Sequence, residues 1–98
     1  MKYFIIEGII KNPAAMNENI LKEHIAYSQK AMDAGQILIS GLKSDETGGV
    51  FIIKAESFDK VQDYLFSDPL KIHGIQEYHI IEFMPHYLNQ KPDEWFKG

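Results

Sequence analysis

The sequence predicts a single α+β domain in which a four-stranded antiparallel sheet carries two helices on one face. Two observations point to it. The apolar patterns follow the order β-α-β-β-α-β along the chain, and 98 residues suffice for one domain but not for two. We expect this domain to occupy residues 1–98, with its core over residues 1–84 and a C-terminal tail over residues 85–98.

The first half of the chain predicts a strand, a helix and a second strand. Residues 3–10 are rich in aromatic and β-branched side chains, which is typical of a strand. Residues 14–34 place apolar side chains three and four positions apart and predict a helix. Gly35 ends this helix, because glycine enters the left-handed region without steric cost. Residues 36–40 then form a short apolar strand.

The second half predicts a strand, a helix and a last strand. A polar loop that ends in two glycines precedes a strand over residues 50–55. Ser57 is a candidate N-cap for the second helix, because its hydroxyl can accept a hydrogen bond from the first turn. We expect the buried stripe of this helix at Phe58, Val61 and Leu65.

The second helix breaks at an Asp-Pro pair. Asp68 and Pro69 begin one further helical turn, which closes at Gly74, and residues 77–84 form the fourth strand. A polar tail follows Pro85. The complete order is that of a ferredoxin-like βαββαβ domain.

Both faces of the predicted sheet are apolar, although two helices can cover only one. In the first strand, Tyr3 and Ile5 point to one side, and Phe4 and Ile6 point to the other. An open apolar face of this size exceeds what a monomer usually exposes. We expect a homodimer in which sheet packs on sheet. The alternative is that the tail, with its Trp95-Phe96 pair, folds over its own sheet.

Composition excludes several classes of protein. The chain has no cysteine, so disulfide scaffolds, thiolate metal sites and cysteine nucleophiles are excluded. All ten basic residues are lysines and the net charge is −4, so we expect neither a nucleic-acid partner nor a membrane surface. No apolar run approaches the roughly 20 residues that span a bilayer. The first apolar run meets Glu7 too early for a signal peptide, and we expect a cytoplasmic protein.

His24 is the first candidate for chemistry. It falls in the middle of the apolar stripe of the first helix, where a leucine would be usual. Histidine titrates near neutral pH and is the commonest general acid or base. Its position alone favours a core histidine held by one hydrogen bond over a functional one. Tyr27 and Ser28 lie one turn away and can line its cleft.

Asp68 is the second candidate. In the predicted topology the two helices lie side by side, so its carboxylate can approach His24. A carboxylate on one imidazole nitrogen fixes the tautomer and raises the basicity of the other nitrogen. The competing interpretation is structural, because Asp before Pro is a common turn starter and N-cap.

No pattern indicates a metal or a cofactor. His73, His79 and His86 share no helical or hairpin register, and no carboxylate cluster joins them. The Gly48-Gly49 pair precedes a strand, so it is a turn and not a phosphate-binding loop. We expect no metal site and no cofactor.

The chain resembles the YciI-like (YCII-related) family of small dimeric α+β-barrel proteins. The resemblance lies in short pieces whose order and spacing agree with the family over residues 1–84. They are the first strand, His24 in the first helix, the run Gly35-Gln36-Ile37-Leu38-Ile39-Ser40-Gly41, Glu56-Ser57-Phe58, Ser67-Asp68-Pro69 and Gly74. Leu70 departs from the pattern, because the family commonly has an aromatic residue there.

The resemblance implies a catalytic His24–Asp68 pair in a cleft between helix and sheet. We expect this cleft to be lined by Tyr27, Ser28, Gly41, Pro69 and Leu70. It also implies homodimers and larger assemblies. One kind of member resembles a dehydrochlorinase of a chlorinated hydroquinone that uses such a pair for acid–base work. We therefore expect a cofactor-independent enzyme of lyase or isomerase type that acts on a small cyclic or enolic compound.

Two other functions stay open. The protein can be a non-catalytic module for small-molecule binding or assembly, in which the His24–Asp68 pair is a structural hydrogen bond. It can also belong with the monooxygenase-like dimeric α+β barrels that act on quinols or haem, although no residue specifically demands this.

Overall fold

A computed structural model describes residues 1–97 of the chain. It contains four strands, four helices and one 3₁₀ turn. In chain order they are β1 (Lys2–Ile10), the 3₁₀ turn (Pro13–Ala15), α1 (Glu18–Asp33), β2 (Ile37–Leu42), β3 (Gly49–Ala55), α2 (Phe58–Phe66), α3 (Pro69–Ile72), β4 (Gln76–Phe83) and α4 (Pro92–Trp95).

The four strands form one sheet in the order β2-β3-β1-β4, and every neighbouring pair is antiparallel. The central strand β1 therefore pairs with both β3 and β4. The predicted ferredoxin-like βαββαβ fold is confirmed. No helix in the described part of the chain is both long enough and apolar enough to cross a membrane.

The core lies between the sheet and the two longer helices. Phe4 and Ile6 of β1 are fully buried on the face that the helices cover, as are Val61 and Leu65 of α2. Ala31 of α1 joins the same cluster, so both helices pack on one face. Burying a side chain such as Leu65 contributes about 1.5–3 kcal/mol to folding.

Two expectations about the helices are wrong in detail. The first helix begins at Glu18 and not at residue 14, because the Asn17 side chain accepts a hydrogen bond from the Ile20 amide at 2.9 Å and caps the helix there. Pro13 starts a separate 3₁₀ turn before it. Phe58 is 41% exposed, because it stands at the first position of α2, where its ring centroid lies 6.3 Å from that of Phe4.

The face of the sheet that carries no helix is apolar, as the alternation predicts. It is called the open face below, and Glu7 and His79 are polar residues on it. Its apolar side chains are those of Tyr3, Ile5, Ile9, Ile39, Val50, Ile52, Ile81 and Phe83. Ile81 is 46% exposed and Val50 38% exposed.

The tail reaches this face without covering it. It contains a short helix, α4, that the polar composition did not predict. Phe96 borders a shallow depression on the open face beside Ile5 and Ile52. Trp95 and Phe96 nevertheless remain 54% and 65% exposed. A large part of the open face is therefore bare in the single chain.

Candidate functional site

His24 stands in the second turn of α1, on the side that faces the sheet. Its side chain is 24% exposed. The imidazole Nδ1 lies 2.9 Å from each carboxylate oxygen of Asp68. Because Nδ1 is engaged in this hydrogen bond, Nε2 is the ring nitrogen available to a ligand.

Asp68 is a buried carboxylate with several hydrogen-bond donors around it. Its side chain is 4% exposed and stands between α2 and α3. It is the N-cap of α3, because Oδ1 accepts a hydrogen bond from the Leu70 amide at 2.9 Å. The His24 ring and the Tyr78 hydroxyl supply the other donors. A buried charge needs such compensation, so the geometry accounts for a carboxylate at this depth.

Tyr78 closes the hydrogen-bond network from the sheet side. Its hydroxyl donates to Asp68 Oδ2 at 2.8 Å. Burial raises the pKa of Tyr78, and the negative charge of Asp68 and the hydrogen bond to it raise that pKa further. The hydroxyl therefore stays protonated at neutral pH and remains a donor.

A pair of tyrosines holds α1 against α2. The rings of Tyr27 and Tyr64 stack with centroids 4.8 Å apart, and the Tyr27 hydroxyl donates to the Tyr64 carbonyl oxygen at 2.7 Å. Burial raises the pKa of Tyr64 to about 12. This contact fixes the spacing of the two helices and so helps to bring His24 to Asp68.

A cavity of about 500 Å³ opens beside His24, between α1 and the sheet. Its walls are mostly apolar and include Ile10, Met16, Leu21, Ile25, Met32, Ile37, Phe51 and Leu70. Leu21 and Ile25 are 42% and 56% exposed, because they face this cavity and not packed core. The size and the mostly apolar walls are typical of a site for a small organic molecule.

The structure places the residues expected from the sequence in three positions relative to the cavity. His24, Ser28, Gly41 and Leu70 all line the cavity. Asp68 lies behind His24 and reaches the cavity only through the imidazole. Tyr27 and Pro69 lie outside the lining: Tyr27 is turned toward α2, and Pro69 is the first residue of α3.

Two residues of β4 belong to the site although the sequence did not single them out for it. They are Tyr78, described above, and Gln76, which is 6% exposed and lines the cavity. The signal was present in the strand, because Gln76, Tyr78 and Ile80 alternate onto one face. A glutamine on a face that the helices cover is unusual and marks the position for inspection.

Another polar cluster lies on the open face, away from the cavity. Glu7 lies on the open face, where Lys43 Nζ is 3.0 Å and His79 Nδ1 is 3.8 Å from its carboxylate oxygens. The hydrogen bond and charge of Lys43 lower the pKa of Glu7. Across residues 1–97, no group of three or more His, Cys, Asp or Glu side chains could hold a metal ion. The expectation of no metal and no cofactor stays a prediction.

Comparisons with known proteins agree with the fold. Residues 1–84 match the model of the YCII-related domain. A similar solved structure is the 5-chloro-2-hydroxyhydroquinone dehydrochlorinase (TftG) from Burkholderia phenoliruptrix AC1100, in complex with 2,5-dihydroxybenzoquinone. The TM-score is 0.71 and the identity 20%, with 84% of this chain and 93% of that chain covered. No curated protein matches this chain.

Proposed function

The chain belongs to the YCII-related domain family, and on that basis we propose that it is a cofactor-independent acid–base enzyme of lyase or isomerase type. Its substrate is a small cyclic or enolic compound, and His24 and Asp68 are the catalytic pair. One observation carries the proposal. A histidine held by a buried carboxylate 2.9 Å away forms part of the wall of a mostly apolar cavity of about 500 Å³.

The pair is suited to moving a proton. Nδ1 of His24 donates to the Asp68 carboxylate, so Nε2 is the ring nitrogen that can take a proton from a substrate. When Nε2 takes a proton, Asp68 stabilises the imidazolium that forms. Positioned general bases of this type contribute about 10²–10⁴-fold in rate.

Two reactions follow from the same first step. Nε2 removes a proton from a carbon next to a carbonyl group, and the C–H electron pair moves into a new double bond. In an isomerisation, the carbonyl oxygen takes up the displaced pair and then a proton. In an elimination, a leaving group on the next carbon departs as an anion with its bonding pair. The dehydrochlorinase activity named for TftG is of the second type.

The decisive experiment compares turnover by the wild type and by His24→Asn. We would offer 5-chloro-2-hydroxyhydroquinone together with cyclic enols and ketones and would follow product by chromatography. His24→Asn should lower turnover by at least about 100-fold while leaving the fold and the oligomeric state unchanged. His73→Asn is the matched control, because His73 is exposed, lies beyond α3 and lines no cavity. Equal turnover by both variants would remove His24 from the mechanism.

One observation favours a second candidate, a non-catalytic binding or assembly module. Asp68 caps α3 and accepts from Tyr78, so its charge has a structural use that requires no reaction. This candidate predicts that Asp68→Ala lowers the melting temperature while no compound is turned over. Ligand binding without turnover across the panel would favour it over the enzyme.

The homodimer expected from the sequence is part of this proposal. The open face supplies the contact, because Tyr3, Val50 and Ile81 are 36%, 38% and 46% exposed on it. The natural cover for an apolar sheet face is the same face of a second copy. Sedimentation equilibrium tests this, since a single 11.3 kDa species at micromolar concentration would exclude the dimer.

Three further expectations stay predictions. They are the absence of nucleic-acid partners, the absence of a membrane partner and the cytoplasmic location. Co-purification analysis and cell fractionation would test them.

A further inference from the structure

Gln76 is a buried amide at the floor of the cavity. It is the first residue of β4, pairs with Ile10 of β1 and is 6% exposed. Its carboxamide stands over the Cα of Gly8: a Cβ added at Gly8 would come within 2.8 Å of both Cδ and Nε2. The absence of a side chain at Gly8 therefore leaves the space that the amide occupies.

The environment of this amide leaves part of it for a ligand. A carboxamide has two N–H donors and a carbonyl oxygen that can accept two hydrogen bonds. Gln76 and Tyr78 are two residues apart in β4, so their side chains lie on the same face of the sheet. Among the described residues, no fully enclosed side-chain N or O lacks a partner. The polar groups of Gln76 are therefore not sealed in the core, and the side chain opens on the cavity that it lines.

The amide belongs to one continuous polar path. Gln76 and Tyr78 share the face of β4 that the helices cover, the Tyr78 hydroxyl donates to Asp68, and Asp68 accepts from His24. Gln76 and His24 both line the cavity, so both ends of the path meet a ligand. The surface around them is mostly apolar, and none of the lining residues is a lysine or an arginine.

We propose that Gln76 orients the substrate by hydrogen-bonding one oxygen of an uncharged ring compound whose reacting atom then faces His24. The substrate class is a neutral cyclic ketone, enol or phenol with polar groups at two positions of the ring. An amide can donate to a carbonyl oxygen and accept from a hydroxyl, so it binds the keto and the enol form alike. A carboxylated ring would enter a mostly apolar cavity that no lysine lines and that the carboxylate of Glu46 borders.

This inference rests on the proposed function, because it concerns the same cavity, but it is tested by binding and not by turnover. The probes are hydroquinone, phenol and 2,5-dihydroxybenzoate, with dissociation constants from NMR titration. In the wild type, hydroquinone should bind about tenfold more tightly than phenol, because a second oxygen gains one hydrogen bond. The carboxylated probe should bind most weakly. Tighter binding of 2,5-dihydroxybenzoate than of hydroquinone would refute the uncharged class.

Two variants test Gln76 itself. In Gln76→Leu the preference for hydroquinone over phenol should disappear, while the affinity for phenol stays the same. Gly8→Ala should have the same effect with Gln76 still present, because the new methyl group displaces the amide. Gln62→Leu on α2 lies outside the cavity and is the control that should keep the preference. A purely structural role would change stability without changing the preference, and a preference unchanged in Gln76→Leu would overturn the inference.

The two proposals fail in different ways. If Gln76→Leu keeps the preference while His24→Asn abolishes turnover, only the inference about Gln76 is wrong. If Gln76→Leu loses the preference and no compound is ever turned over, only the enzymatic function is wrong.

Discussion

Tyr78→Phe removes one hydroxyl from the network around Asp68 and leaves the ring in place. The hydroxyl donates to a buried carboxylate at 2.8 Å. A hydrogen bond to a charged group contributes about 1.5–3 kcal/mol to stability. Asp68 keeps its donors from His24 and Leu70, so the lower part of that range applies. We expect a loss of about 2 kcal/mol in the free energy of unfolding.

Urea denaturation at one fixed protein concentration measures this loss, because an oligomer's stability depends on concentration. For a chain of this size, about 2 kcal/mol also lowers the melting temperature by about 8–16 °C. Tyr87→Phe is the control, since Tyr87 is 93% exposed and should change stability by less than about 0.5 kcal/mol. If both variants lose the same small amount, the hydroxyl of Tyr78 does not stabilise Asp68 and the network described above is wrong.

Four further predictions follow from the same contacts. Asp68→Asn should retain the cap of α3 and should lose less stability than Asp68→Ala, because alanine leaves the donors of α3 and Tyr78 unpaired. Thermal melts compare the two variants, and equal losses of melting temperature would contradict the capping role. Leu65→Ala should cost about 2–5 kcal/mol in urea denaturation, against under about 0.5 kcal/mol for Leu88→Ala, because Leu65 is fully buried and Leu88 is 88% exposed. The pKa of Tyr64 is raised from 10.0 to about 12, so the stability that its neutral form contributes is complete below pH 10 and is lost as the pH rises through 12. The wild type should therefore lose more free energy of unfolding over this range than Tyr64→Phe. Parallel curves of unfolding free energy against pH would refute the burial argument. Ile81→Lys should convert a dimer to monomers in sedimentation equilibrium, because it places a charge beside Ile5 among the apolar side chains of the open face, and an unchanged dimer would place the contact elsewhere.

Local patterns in the sequence predicted most of the fold and, within the site, the positions of His24 and Asp68. The apolar spacing around His24 placed it on the inner side of α1, and the Asp-Pro pair placed Asp68 at a helix start. Ser57 caps α2 as predicted. These features depend on residues within one turn of each other, which is why sequence spacing can predict them.

The remainder of the site depends on contacts between distant parts of the chain. Asp68 precedes α3 and Tyr78 lies in β4, so the two residues meet because of how these elements pack. No spacing in the sequence predicts the hydrogen bond between them. Tyr27 was expected at the cleft because it lies one turn from His24, but stacking on Tyr64 turns it toward α2. The Asn17 cap shows the same limit on a smaller scale, since the apolar pattern alone extended the helix too far toward the N-terminus.

The exposed side chains of Leu21 and Ile25 mean that the hydrophobic core of the single chain is incomplete. A ring that enters the cavity would pack against these two side chains and bury them for as long as it stays bound. Any ligand that fits must then stabilise the folded state, by about 2.7 kcal/mol at 100 times its dissociation constant. The melting temperature of the protein is therefore a direct reporter of occupancy, and a thermal-shift screen of small neutral rings can find the natural ligand without knowledge of the reaction.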